Sequence, residues 1–232
     1  MIEAKQLKKI YGKAGHETHA LRGVDVKINE GEFVAIVGKS GAGKSTLMYQ
    51  LSLLDIPTSG ELFLNGEDTS TFSNAVRTRY RLFNLGYVFQ DYALLPELSA
   101  TENVMVPLLM QGFASAPSRK KAHEVLARLG LNERLDNRPS QLSGGEQQRV
   151  SIARAIAHNP LVLFADEPTA NLDTATSTLL LTYLEELNKA GQTIIMVTHE
   201  LEYARMAKRV LELSDGALVN DGTPTSVLKS KR

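Results

Sequence analysis

One short stretch carries the clearest chemistry in this chain. Gly38-Lys39-Ser40-Gly41-Ala42-Gly43-Lys44-Ser45-Thr46 fits the pattern G-x-x-x-x-G-K-[ST]; it follows the apolar run Phe33 to Val37 and leads into helix-compatible Leu47, Met48 and Tyr49. Glycines at these spacings let backbone N–H groups turn inward around phosphate oxygens, and a helix start adds a partial positive charge. Lys44 supplies a cation, and Ser45 is placed to offer its hydroxyl to Mg²⁺. The pattern predicts a nucleotide-phosphate loop.

Such a site needs a metal carboxylate. Leu161-Val162-Leu163-Phe164-Ala165-Asp166-Glu167 ends an apolar run on two acids, so Asp166 can hold Mg²⁺ and Glu167 can orient or deprotonate an attacking water. A second candidate anion site is Leu142-Ser143-Gly144-Gly145-Glu146-Gln147-Gln148. There Ser143 and Glu146 have capping-box spacing, and Gly144 and Gly145 leave N–H groups open at a helix start. Taken alone, the acidic pair is also a common loop start, and the Ser-x-x-Glu pattern simply a well-capped helix.

The elements around these residues form an α/β pattern. Val24, Val26 and Ile28 alternate with Asp25 and Lys27 as in a half-exposed strand, whereas Phe33 to Val37, Leu161 to Ala165 and Ile194 to Val197 are continuous buried runs. Between about Tyr92 and His158 the chain offers helices and no strong strand. Thr101-Glu102-Asn103 is a possible cap, and Ala122, Val125, Leu126 and Leu129 recur at helical spacing before Gly130. This segment is expected to be a helical subdomain inserted in a single domain. Leu179, Leu180, Tyr183, Leu184 and Leu187 predict a further core helix, and Val210 to Val219 a terminal hairpin turning at Ser214-Asp215-Gly216.

Composition narrows the classes. The chain has 232 residues, 26 Lys+Arg against 26 Asp+Glu and no cysteine, so a thiol nucleophile and thiolate zinc are excluded and no net field favours nucleic acid. Nucleic acid is therefore not an expected partner. No run approaches the ~18 apolar residues of a spanning helix, and the charged start (Glu3, Lys5, Lys8, Lys9) does not read as a signal peptide.

With these motifs in order, the sequence resembles the ATP-binding cassette family, the ATPases of ABC transporters. Gly38 to Ser45 matches the Walker A loop, Gln90 the Q-loop glutamine, Leu142 to Gln147 the signature LSGGEQ and Leu161 to Asp166 Walker B with Glu167 after it. Asn171-Leu172-Asp173 matches the D-loop and His199 the switch histidine. Lys39 and Ala42 stand where proline and serine are common, both at variable positions. The resemblance implies a P-loop NTPase core with a mainly parallel sheet, an N-terminal antiparallel β subdomain and the inserted helical subdomain. It implies a head-to-tail dimer around two Mg-ATP, with Ser143 and Gly145 binding the γ-phosphate in trans. Gln90 would sense Mg²⁺ and the water, Asp173 would touch the opposing subunit, His199 would steady the γ-phosphate, and Tyr11 would stack on adenine. Read singly, Tyr11 is equally a packing tyrosine and His199 a surface histidine at a strand end.

Within the family, Thr18 to Val24, Leu54 to Glu61 and Gly86 to Val104 look like the lipoprotein-releasing and macrolide-exporter group; cell-division and amino-acid-importer cassettes are similar. The resemblance implies a peripheral position on the cytoplasmic face of a membrane, driving an integral membrane transporter subunit that docks near Tyr92, Leu94 and Leu95. A soluble cassette acting on DNA or ribosomes would need a long coiled coil or a second cassette. A small-molecule kinase would leave the signature motif and His199 unused.

Overall fold

The computed structural model describes residues 1–13 and 15–228. Along the chain run strands β1 (Ile2–Tyr11), β2 (Thr18–Ile28) and β3 (Phe33–Val37), helix α1 (Lys44–Leu51), strands β4 (Ser59–Leu64) and β5 (Glu67–Asp68), helix α2 (Asn74–Asn84) and strand β6 (Leu85–Val88). Helices α3 (Ala100–Met110), α4 (Ser115–Arg128) and α5 (Gly144–Ile156) follow, then β7 (Val162–Asp166), α6 (Thr174–Lys189) and β8 (Thr193–Val197). The chain continues through α7 (Leu201–Ala204), β9 (Arg209–Ser214), β10 (Ala217–Gly222) and α8 (Pro224–Val227). It divides into two compact units, residues 1–78 with the segment from Asn188 onward, and residues 79–187.

In the first unit β2, β1, β4 and β5 form an antiparallel sheet in that order. Leu21, Val24, Val26 and Ile28 turn inward and Asp25 and Lys27 outward, the alternation expected where one sheet face is solvated. β3 lies parallel to both β8 and β9, and its five residues are all buried, as a strand covered on both faces must be. The expected hairpin is β9–β10; Asp215 (φ 49°) and Gly216 (φ 78°) supply the two left-handed residues its tight turn requires. The antiparallel partner of β1, strand β4, was not visible as a strand in the sequence. Its burial runs exposed, exposed, exposed, buried, half-buried, buried, so only its last half alternates.

In the second unit β6 runs parallel to β7, pairing Leu85 with Val162 and Val88 with Ala165. β6 has only four residues and directly continues α2, which leaves too short a window for periodicity to declare it. α3 starts one residue after Ser99, whose hydroxyl accepts from the Glu102 N–H while the Glu102 carboxylate accepts from the Ser99 N–H. The cap is therefore Ser99 and not the Thr101-Glu102-Asn103 group; Thr101 is already buried in the first turn. In α4, Ala122, Val125 and Leu126 are buried and Leu129 closes the same stripe, as their spacing predicts. In α6 the buried stripe is Leu180, Leu181 and Leu184, whereas Leu179 is 43% exposed; it lies one position around the helix from the inward face.

Candidate functional site

In the first unit the phosphate loop lies between β3 and α1. Gly43 caps α1 with φ 98°, and a Cβ there would fall 2.5 Å from the Ala20 carbonyl oxygen, so β2 holds the loop too closely for any side chain. The Ala42 N–H donates to the Lys39 carbonyl at 3.1 Å, and the Ala42 carbonyl accepts from the Gly216 N–H at 3.1 Å, which ties the loop to the β9–β10 turn. Lys44 is 8% exposed, and its Nζ donates to the Lys39 carbonyl at 3.1 Å, across the loop. That carbonyl is its one hydrogen-bond acceptor among the described residues, and no carboxylate pairs with it. A mostly buried ammonium so poorly neutralised is suited to an anion. Ser40 and Gly41 are exposed, while Ser45 and Thr46 lie half-buried in the first turn of α1.

Tyr11 ends β1, 41% exposed. Its hydroxyl donates to Asp55 Oδ2 at 2.8 Å, and Lys9 Nζ sits 4.9 Å from the ring centroid while also binding Asp55 Oδ1 at 2.7 Å. Partial burial and the neighbouring carboxylate raise the Tyr11 phenol above its ordinary value, and the Thr46 hydroxyl acts on the same oxygen in the opposite sense. Partial burial works against the Asp55 charge, yet Lys9 and Tyr11 bonded to it hold that carboxyl below its usual range. One ring face is thus covered by an ammonium and the ring is fixed, an arrangement that favours stacking on the other face. Lys9 and Asp55 escape sequence reading because 46 residues separate them.

His199 follows β8 and is exposed. Since β8 pairs in parallel with β3, Ile36 against Val197, His199 leaves the sheet at the same edge as the phosphate loop. The Thr198 N–H donates to the Ile36 carbonyl at 3.2 Å and fixes that exit.

The second unit repeats this device. Parallel pairing of β6 and β7 brings Gln90 out at the same edge as Asp166 and Glu167. Asp166 is 6% exposed; Glu167 has φ 44°, a left-handed conformation rare for a residue with a side chain and not the extended backbone its position after a strand suggests. The turn is closed by the Ala170 N–H donating to the Glu167 carbonyl at 3.1 Å, and buried Gln148 of α5 donates to the Pro168 carbonyl at 2.7 Å. Strain at Glu167 is thereby held by its surroundings, as at many reactive positions.

Ser143 caps α5 as its spacing predicts: its Oγ accepts from the Glu146 N–H at 3.3 Å, and Glu146 Oε2 accepts from the Ser143 N–H at 2.8 Å. That N–H, Arg134 at 2.8 Å and the cap together hold the Glu146 carboxyl below its ordinary value. Gly145 also has a packing reason: a Cβ would lie 2.4 Å from Thr176 Cγ2 on α6. A Cβ at Gly144 would lie 3.0 Å from the Tyr92 hydroxyl. Asp173 is exposed, but both its oxygens are engaged by α6, accepting from the Thr176 N–H at 2.9 Å and the Thr176 hydroxyl at 2.7 Å. Those bonds lower its carboxyl below the usual range.

Residues 21–170 match the family model for the ABC transporter. The chain belongs to this family. It is 48% identical over 219 residues to an uncharacterized ABC transporter ATP-binding protein of Methanocaldococcus jannaschii, covering 94% of this chain and 98% of that one. It is 44% identical over 223 residues to the lipoprotein-releasing system ATP-binding protein LolD of Aquifex aeolicus, covering 96% and 98%. The macrolide export ATP-binding/permease protein MacB of Hyphomonas neptunium is 47% identical over 221 residues, but the match spans only 34% of that protein. A solved dimeric ATP-binding cassette in a post-hydrolysis state with ADP and Pi superposes with a TM-score of 0.90 at 39% identity, over 97% of this chain and 99% of that one. This cassette is an ATPase with the expected fold, a mostly parallel sheet joined by an antiparallel N-terminal sheet and a helical subdomain.

Several contacts that organise the cassette were not foreseen. Asn171 donates to the Gln90 carbonyl at 3.1 Å, Arg154 to the Tyr92 and Ala93 carbonyls, and buried Asn103 bonds both backbone atoms of Leu95. Their targets are backbone groups, which leave no mark in a sequence.

Proposed function

We propose that this cassette powers a transporter of the lipoprotein-release or macrolide-export kind, closing head to tail with a second copy around two Mg-ATP and driving an integral membrane subunit from the cytoplasmic face. The observation that carries the nucleotide-binding part of the reading is the phosphate loop with Lys44 buried across it and left without a carboxylate. Around the nucleotide, Gly38 to Thr46 cradle the phosphates, Tyr11 stacks on adenine, Glu167 takes the proton of the attacking water, and Gln90 and His199 orient that water and the γ-phosphate. Ser143, Gly144 and Gly145 offer the N-terminus of α5 to the γ-phosphate of the partner's site, and Asp173 stands at the contact.

The donor set fits Mg²⁺. Ser45, Gln90 and Asp166 supply hard oxygens, and among the described residues no group of three or more His, Cys, Asp or Glu could hold a metal. Mg²⁺ characteristically takes one or two protein carboxylates with phosphate and water for the rest. When bound it would neutralise the developing phosphate charge.

No described helix is long and apolar enough to cross a membrane. Identity to LolD along nearly the whole chain supports the proposed membrane subunit. The docking surface is better supplied by Met110 (65% exposed) and Phe113 (55%) than by Tyr92, whose hydroxyl faces Gly144, although Leu95 is also open at 45%. Met110 lies beside Leu82, Tyr87, Val106 and Pro107 in a groove of about 190 Å³.

Paired variants test the chemistry. Lys44→Ala should lose ATP binding and turnover together, whereas Glu167→Gln should bind ATP, lose at least about a hundredfold in kcat, and elute as an ATP-dependent dimer. Parental phosphate release by either variant would overturn the site. For docking, Met110→Glu should keep basal ATPase and lose copurification with the membrane component; unchanged copurification would remove Met110 from the interface.

A further inference from the structure

Between Gln90 and Ser99 the chain has no regular structure, and its backbone is held by side chains from distant segments. Asn171 holds the Gln90 carbonyl, and Asn103 bonds Leu95 together with the Leu98 and Ser99 carbonyls. The middle is held by one residue. Arg154 of α5 donates from Nη1 to the Ala93 carbonyl at 2.6 Å and from Nη2 to the Tyr92 carbonyl at 2.9 Å. Tyr92 (φ 61°) and Ala93 (φ 48°) are two successive left-handed residues with side chains, a conformation that persists only where its surroundings enforce it. Arg154 makes no ion pair among the described residues, and burial pulls its guanidinium below the ordinary value. A half-buried guanidinium without a carboxylate destabilises the fold unless its fork is otherwise used, and here both prongs serve the loop.

We propose that Arg154 is a positioning residue: its two-carbonyl clamp enforces the left-handed Tyr92–Ala93 pair and so fixes the direction from which Gln90 meets the nucleotide. Helix α5 has Ser143 and Gly144 at one end and Arg154 ten residues later, about 15 Å along the axis. Tyr92 touches both ends, its carbonyl at Arg154 and its hydroxyl toward Gly144. A shift of the signature end is therefore transmitted along one rigid element to the loop behind Gln90. The proposal rests on the reading of Gln90 as a group that meets Mg²⁺ and the water.

The test is a double-mutant cycle on steady-state ATPase with Gln90→Ala, Arg154→Met and the pair, plus Ala93→Gly in the Arg154→Met background; Arg154→Lys replaces Arg154→Met should the latter fail to fold. Arg154→Met should lower kcat about tenfold or more with KM for Mg-ATP little changed, and the pair should be no slower than Gln90→Ala alone. Ala93→Gly should restore part of the lost kcat, because glycine holds φ near 48° without a clamp; a merely structural Arg154 would gain nothing from a more flexible loop. Additive losses, parental kcat in Arg154→Met, or no recovery with Ala93→Gly would each overturn the clamp while leaving Gln90 in place. Parental activity in Gln90→Ala alone would instead bring down the role of Gln90, and the clamp's purpose with it.

Discussion

The phosphate loop of the first unit and the signature–Q-loop region of the second are built by opposite constructions. The loop is contiguous: β3, six residues and α1 follow one another, and its shape is enforced by backbone approaches such as the Ala20 carbonyl behind Gly43. The second region draws Gln90, Arg154, Asn171 and Thr176 from four separate segments, joined by side chains bonded to backbone or packed on glycine. A contiguous loop is rigid wherever its two flanking elements are. A site assembled from separate segments is only as rigid as its longest side-chain tether, and this suits it to report movement.

That contrast can be broken first at Gly43. Gly43→Ala adds a Cβ 2.5 Å from a carbonyl oxygen at φ 98°, so it should destabilise the protein by about 2 kcal/mol or more and remove nucleotide binding with it, as read by urea unfolding and ATP titration. Unchanged stability would mean that β2 does not enforce the loop.

A smaller effect is expected at Gly145. Gly145→Ala should cost about 1–3 kcal/mol by overpacking against Thr176 Cγ2, and Thr176→Ser, which removes that methyl, should recover most of it. Recovered stability without recovered ATPase would separate the packing role of Gly145 from the role toward phosphate proposed for it; failure of Thr176→Ser to rescue would deny the packing role.

The smallest effect concerns pH and His158 on the second unit. Its Nε2 donates to the Leu85 carbonyl at 3.2 Å, Nδ1 has no hydrogen-bond partner among the described residues, and desolvation lowers its pKa below the ordinary 6.5. The unfolded chain then binds more protons than the folded one in the window just below 6.5, so stability should fall as pH drops through it. In His158→Gln, which cannot protonate, that part of the slope should vanish from urea midpoints measured between pH 7 and 5; an identical slope would show that His158 takes up its proton as readily in the folded chain as in the unfolded one.

Much of the first region was legible beforehand, because Phe33 to Thr46 obey local rules: an apolar run, glycines, then a helix start. The Ser143–Glu146 cap was legible for the same reason, being a bond between residues three apart. By contrast, Ser99 and not Thr101 capped α3, and Leu179 proved exposed although it belongs to an apolar cluster. In both cases several neighbouring residues satisfied the local rule, and packing against other elements selected among them.

By itself the sequence determined the fold class, the nucleotide loop and the order of motifs, since each depends on residue types at short, fixed spacing. Only the tertiary structure decided that Tyr11 is fixed by Lys9 and Asp55, that Glu167 sits left-handed, that Asp173 caps α6, and that Arg154 clamps the loop after Gln90. Those contacts join a side chain to a partner dozens of residues away, or to a backbone group or torsion. Such partners carry no residue identity for a sequence to display.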